Sequence, residues 1–244
     1  MTDIDTWKEQ LRAAARPEKV KILSSFFKTG PGEYGEGAIF IGLPVPDNRA
    51  ISKHYHSLPL EQIAVMLHDP IHEFRLAGLL ALVEAYKRAR NYQPRCKEIA
   101  NFYLANLSCC NNWDLVDLSA QYIIGEYMIL TDDDSIARRL ALSSNTWEQR
   151  IAITSTLAMI RNYMFTTAID IAEQLVNSPT DLLQKATGWV LREVGKRDKQ
   201  LLCGFLDHHA ATMPRTALRY AIERFAADER KHYMALRHTT PTLP

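Results

Sequence analysis

The chain has 244 residues, 47% of them hydrophobic, a formal charge of +1 and an isoelectric point near 7.7. Its 10 glycines and 11 prolines are too few for a turn-rich all-β chain, and no apolar run approaches the ~18 residues that cross a bilayer. Cys96, Cys109, Cys110 and Cys203 lack both metal-ligand spacing and a disulfide framework, so no metal or cofactor is implied and a reducing cytoplasm is the expected setting.

Helical periodicity runs almost from end to end. In chain order it predicts helices over residues 4–15, 17–29, 47–56, 59–68, 71–89, 95–107, 112–129, 132–142, 145–160, 163–176, 180–197, 198–209 and 213–227. Pro59, Pro70, Pro94, Pro179 and Pro214 punctuate the pattern, and Asn145 and Asp181 read as caps. The polar start MTDIDTWKEQ is not a signal peptide. The glycine-rich segment Thr29–Gly42 reads as a connecting turn, because no Lys-Ser/Thr pair follows it at a helix start. Asp132, Asp133 and Asp134 read as the acidic start of a helix. His54, His56, His208 and His209 read as surface histidines. One domain is expected over residues 1–237, followed by a fraying polar tail, 238–244.

A six-residue register recurs at Pro70, Asn112, Asn145, Thr180 and Pro214, with spacings of 42, 33, 35 and 34 residues. Two helices per period of this length indicate an all-α fold, an α-solenoid of HEAT-like or armadillo-type pairs. The marked segments are then the second helix of each pair, lining a concave groove. Five residues into each segment stand Arg75, Asp117, Arg150, Lys185 and Arg219, so one carboxylate interrupts a row of cations.

Counted from each segment's start as zero, positions one, five and nine share a helical face. Trp113 takes position one, Asp117 and Arg150 position five, and Trp189 position nine. Stacked repeats are expected to gather these four, because neighbouring helix axes lie roughly 10 Å apart. Aromatics, one acid and flanking cations suit a substrate carrying both phosphate and positive charge. Asp117 paired with Arg150 as a brace between repeats is an equally good structural reading. Tryptophans on amphipathic helices more often belong to a core, and Trp147 at position two is assigned there. From Lys185 onward eleven basic residues face six acids, a distribution that fits phosphate contacts or a solvated helical surface.

The segments NNWDLVDLSA, SNTWEQRIAI, LLQKATGWVLREVGKRD and MPRTALRYAIERF, in this order, resemble the AlkD-type DNA alkylation repair proteins, alkylpurine DNA glycosylases built from HEAT-like repeats. The resemblance covers roughly residues 15–228. It implies hydrolysis of the N-glycosidic bond of cationic N3- and N7-alkylated purines in duplex DNA, without base flipping, by a monomer that needs no cofactor. It matches Asp117 to the catalytic aspartate, Trp113 and Trp189 to the two cleft tryptophans and Arg150 to the cleft arginine. Arg192 matches a cation that holds the DNA backbone, a role that Lys185 and Arg219 are expected to share. The chain departs from the pattern at Phe26, where some members have tyrosine, and near Ala158, where some have lysine. Two other readings stay open: a solenoid that grips damaged or branched DNA without cutting it, and a protein-binding scaffold.

Overall fold

The computed structural model describes residues 2–236. Among them it is all-α. The helices are α1 (Asp3–Ala13), α2 (Val20–Phe26), α3 (Val45–Ser52), α4 (Leu60–Leu67), α5 (His72–Ala89), α6 (Gln93–Ala105), α7 (Trp113–Asp117), α8 (Ala120–Thr131), α9 (Ser135–Ala141), α10 (Thr146–Arg161), α11 (Thr166–Leu175), α12 (Asp181–Gly195), α13 (Lys199–His209), α14 (Arg215–Ala221) and α15 (Ala227–Ala235). None of these is long and apolar enough to cross a membrane. The tail expected from residue 238 lies outside the described residues. The chain divides into two compact units, one up to Ile123 and one from Ile124 onward.

In the first unit α1 begins at a capping box. Asp5 N donates to Thr2 Oγ1 at 3.2 Å while the Asp5 carboxylate accepts Thr2 N at 3.0 Å. Trp7 and Leu11 on this helix are fully buried with Leu43, Met66, Phe74, Ala77 and Ala81. Helix α5 is buried along most of its length and packs against α3, α4, α6 and α7. Such a helix must be apolar nearly all round, which is what the leucine-rich 76–82 stretch supplies. The buried Glu73 carboxylate accepts the backbone N–H groups of Ile41, Gly42 and Leu43, and His72 N donates to Ile39 O at 2.8 Å. These bonds pin the end of the glycine-rich segment to the start of α5.

The second unit is a succession of helix pairs. Helix α10 packs on α9 and α11, α12 packs on α11 and α13, and α10, α12 and α14 touch in sequence. This is the stacking of an α-solenoid, with the register-bearing helices in one layer. Gly188 permits a close approach of α12 to α14. A Cβ there would lie 2.4 Å from Ala217 O and 2.5 Å from Tyr220 Cβ.

Several expected helices differ from the structure, and for four of them the local backbone or a side chain gives the reason. The 112–129 helix is two helices, because Ser119 Oγ bonds the carbonyl of Leu115 at 2.5 Å and meets Tyr103 Oη at 3.0 Å, competing with the helical ladder. The 132–142 helix starts only at Ser135 and the 163–176 helix only at Thr166, since Asp132 and Tyr163 have φ of 51° and 60°. The 213–227 helix stops at Ala221, and α15 follows, its first turn closed by Ala226 N donating to the Glu229 carboxylate at 3.0 Å. Helix α12 is capped by Thr180, and Asp181 is its first residue.

Candidate active site

In the first unit, the short helix α7 carries both Trp113 and Asp117. Asn112 starts it by accepting Trp113 N at 2.8 Å. Trp113 is half-buried. One face of its indole stacks on Phe27 at 5.1 Å, and Phe26, 60% exposed, meets it edge-on at 5.5 Å. Phe27 in turn stacks on Phe40 at 5.1 Å, and both contact the His72 ring. The indole is therefore held in place by an aromatic cluster while remaining outside the core, and Phe26 extends its apolar edge.

Beneath this cluster His72 Nε2 and Asp114 Oδ2 lie 2.8 Å apart, both nearly inaccessible. Asp114 Oδ1 also accepts Leu115 N at 2.9 Å. The pair ties the first turn of α7 to the first turn of α5. Asp117 is half-buried on the last turn of α7. Tyr103 lies behind it, its phenol pushed well up, first by burial, then by Cys110, and to a lesser degree by the Asp117 charge.

The second unit carries the remaining expected residues. Arg150 on α10 is buried, and its Nη1 donates to Leu182 O at 2.5 Å, so it clips α10 to the start of α12. Trp189 on α12 is half-buried, beside the close-packed Gly188. Arg192 pairs with Glu223 on the turn after α14, and its Nε lies 3.9 Å from Glu193. Lys185 bonds Asp181 at 2.7 Å, and Arg219 is exposed on α14. Trp147 is half-buried, which corrects its assignment to the core: it lies in the first turn of α10, where its backbone N–H donates to the capping Asn145. Ala158 is fully buried against Gly125, which leaves no room there for a solvated side chain.

A cavity of about 610 Å³ in this unit is lined by Met159, Phe165, Ile169 and Leu201, with Asp170 at its wall. That carboxylate is already paired with Arg138 at 2.9 Å, and the wall is otherwise largely apolar, so the cavity offers little to a reacting charge.

Sequence reasoning missed Phe27, Phe40, His72 and Asp114. The register contained one signal: His72 and Asp114 both stand at position two of adjacent segments.

Residues 7–225 match the model of a family described as DNA alkylation repair enzyme. The fold is similar to that of a predicted DNA alkylation repair enzyme from Enterococcus faecalis, with a TM-score of 0.66 and 17% identity over 87% of this chain and 97% of that one. No curated protein matches the sequence.

Proposed function

The chain belongs to the DNA alkylation repair enzyme family, and from that premise we propose that it is a DNA glycosylase acting on cationic N3- and N7-alkylated purines in duplex DNA. Asp117 is the carboxylate that faces the deoxyribose. Trp113 and Trp189 hold the cationic nucleoside, Arg150 orders the site from α10, and Arg192, Lys185 and Arg219 meet backbone phosphates. The observation that carries this reading is the state of α7: an indole backed on one face by Phe27, with a half-buried carboxylate one turn further on.

The chemistry follows from the lesion. Alkylation at N3 or N7 leaves the purine with a positive charge. When the N-glycosidic bond breaks, its electron pair leaves with the base and neutralises that charge. The sugar is left oxocarbenium-like, as in glycoside hydrolysis generally. Asp117 stabilises that cation and accepts a proton from the water whose oxygen bonds to the anomeric carbon. An indole face attracts a cationic nucleoside by ~0.5–2 kcal/mol. Because the leaving group carries its own activation, the base needs no enclosing pocket and stays in the helix.

The test is incubation with N-methylated duplex DNA followed by chromatography of the released bases. Release of 3-methyladenine or 7-methylguanine is expected. Tight duplex binding with no released base and no abasic site would leave a DNA-binding solenoid without catalysis.

A further inference from the structure

The glycine-rich segment and α5 enclose a second polar site in the first unit. A cavity of about 200 Å³ is lined by loop residues 34–38, Pro70, Arg75, Asn111 and Asn112. Arg75 is 9% exposed. Its Nη1 donates to the carbonyls of Asp69 and Pro70, both at 3.0 Å, and its Nη2 only reaches Asn111 Oδ1 at 3.4 Å. Nε is buried without a partner. An unpaired donor in a guanidinium this buried is costly, and native proteins leave few of them.

The charge around Arg75 is equally unusual. Each nearby acid is engaged by another donor: Asp69 by Lys8 Nζ at 2.6 Å, Glu73 by the backbone of residues 41–43, and Asp114 by His72. Glu36, in the cavity wall, accepts Gly32 N at 2.9 Å. Arg75 is therefore held by neutral oxygens, and its positive charge is not cancelled by direct contact with a carboxylate. Burial pushes its guanidinium below the ordinary value, and neighbouring acids only partly oppose this. The surrounding loop is fitted closely: a Cβ on Gly35 would lie 2.2 Å from Phe27 O, so this wall rests on the backbone of the residue that backs Trp113.

We propose that this cavity is a phosphate-binding site: Arg75 Nη2 takes one oxygen of a phosphate group, the Asn111 side chain turns to add a second contact, and the guanidinium turns so that its covered Nε meets another oxygen of the same group. The Nε and Nη2 edge is the bidentate fork with which arginine recognises phosphate. The phosphate is either a phosphodiester of bound DNA or a free phosphate. The site goes beyond the excision chemistry and does not depend on it. It is also distinct from a P-loop, since the cation comes from α5 and not from the end of the loop.

Two variants and two titrations test it. Arg75→Gln removes the fork but also the brace on two carbonyls, so its melting temperature must be measured first. Asn111→Asp keeps the brace, lies on an exposed residue and puts a carboxylate beside Nη2. An unmethylated, fluorescein-labelled duplex is followed by anisotropy across a salt series, and inorganic phosphate is followed by calorimetry. Because neither readout requires base release, a failure of excision leaves this test intact. If the source is DNA, Asn111→Asp weakens duplex binding roughly tenfold and makes the salt slope shallower by about 0.9. If the source is free phosphate, the same variant abolishes the phosphate heat and leaves duplex binding unchanged. Wild-type behaviour of Asn111→Asp in both titrations overturns the proposal.

Discussion

Asp117 closes α7, in a turn whose carbonyls are already met: Leu115 O accepts Ser119 Oγ and Asp117 O accepts Gln121 Nε2. A carboxylate one turn beyond Trp113 is the group that the proposed stabilisation of a cationic sugar requires. Asp117→Asn should retain duplex binding and lose abasic-site formation by roughly 10²- to 10⁴-fold, assayed on methylated duplex DNA. Unreduced turnover would remove Asp117 from the chemistry. The same logic makes uracil in duplex DNA, a neutral leaving group, resistant to the wild-type enzyme. The buried residues behind the site should respond differently. Asp114→Ala strands His72 with neither ring nitrogen bonded, since its Nδ1 already lacks a partner. A loss of about 1–3 kcal/mol in denaturant unfolding is expected, for a buried polar group left unmet.

At the scale of elements, the register found by counting residues turns out to be a contact map. His72 meets Asp114 from the same position in adjacent segments, and position five of one segment reaches position two of the next where Arg150 bonds Leu182 O. Periodicity could show the repeats and the helices that bear them. It could not show the split at Ser119, which depends on a hydroxyl shared between Leu115 and Tyr103, nor α15, whose polar sequence ADERKHYMA has no apolar face to count. Glycines separate packing from propensity. Gly188→Ala should destabilise by about 1–3 kcal/mol, because its Cβ would strike the backbone of α14. Gly204→Ala, exposed in α13 with nothing within 4 Å of the added carbon, should instead stabilise by about 0.5–1 kcal/mol. Chemical denaturation of the two variants checks both signs. Helix α9 is tied to α11 by Asp134, which pairs with Arg138 and accepts Thr167 Oγ1, holding its carboxyl below its ordinary value of 3.8. A depressed carboxyl contributes stability above its unfolded value and loses it as pH falls through the folded one. Asp134→Asn should therefore lower the melting temperature at pH 7, with the gap to wild type closing as pH drops below about 3.8.

For the whole molecule, a formal charge of +1 gives little general attraction to DNA, so binding must come from where the cations stand and what they are paired with. Sequence could place the excess of basic residues after Lys185, and it could not show that Arg192 is already held by Glu223, because the partner is 31 residues away on another helix pair. With that pairing, the proposed DNA role of Arg192 is an exchange, with phosphate competing against a carboxylate. The two partners should then have opposite effects. Arg192→Ala should weaken binding to duplexes of any sequence and make the salt slope shallower by about 0.9, as expected for one lost phosphate contact. Glu223→Gln releases the same guanidinium, and it should tighten binding and steepen the slope. If Arg192 serves only as a strut between α12 and the end of α14, both variants lower the melting temperature and neither changes the slope. Anisotropy titrations at several salt concentrations, set beside thermal melts, separate the two outcomes.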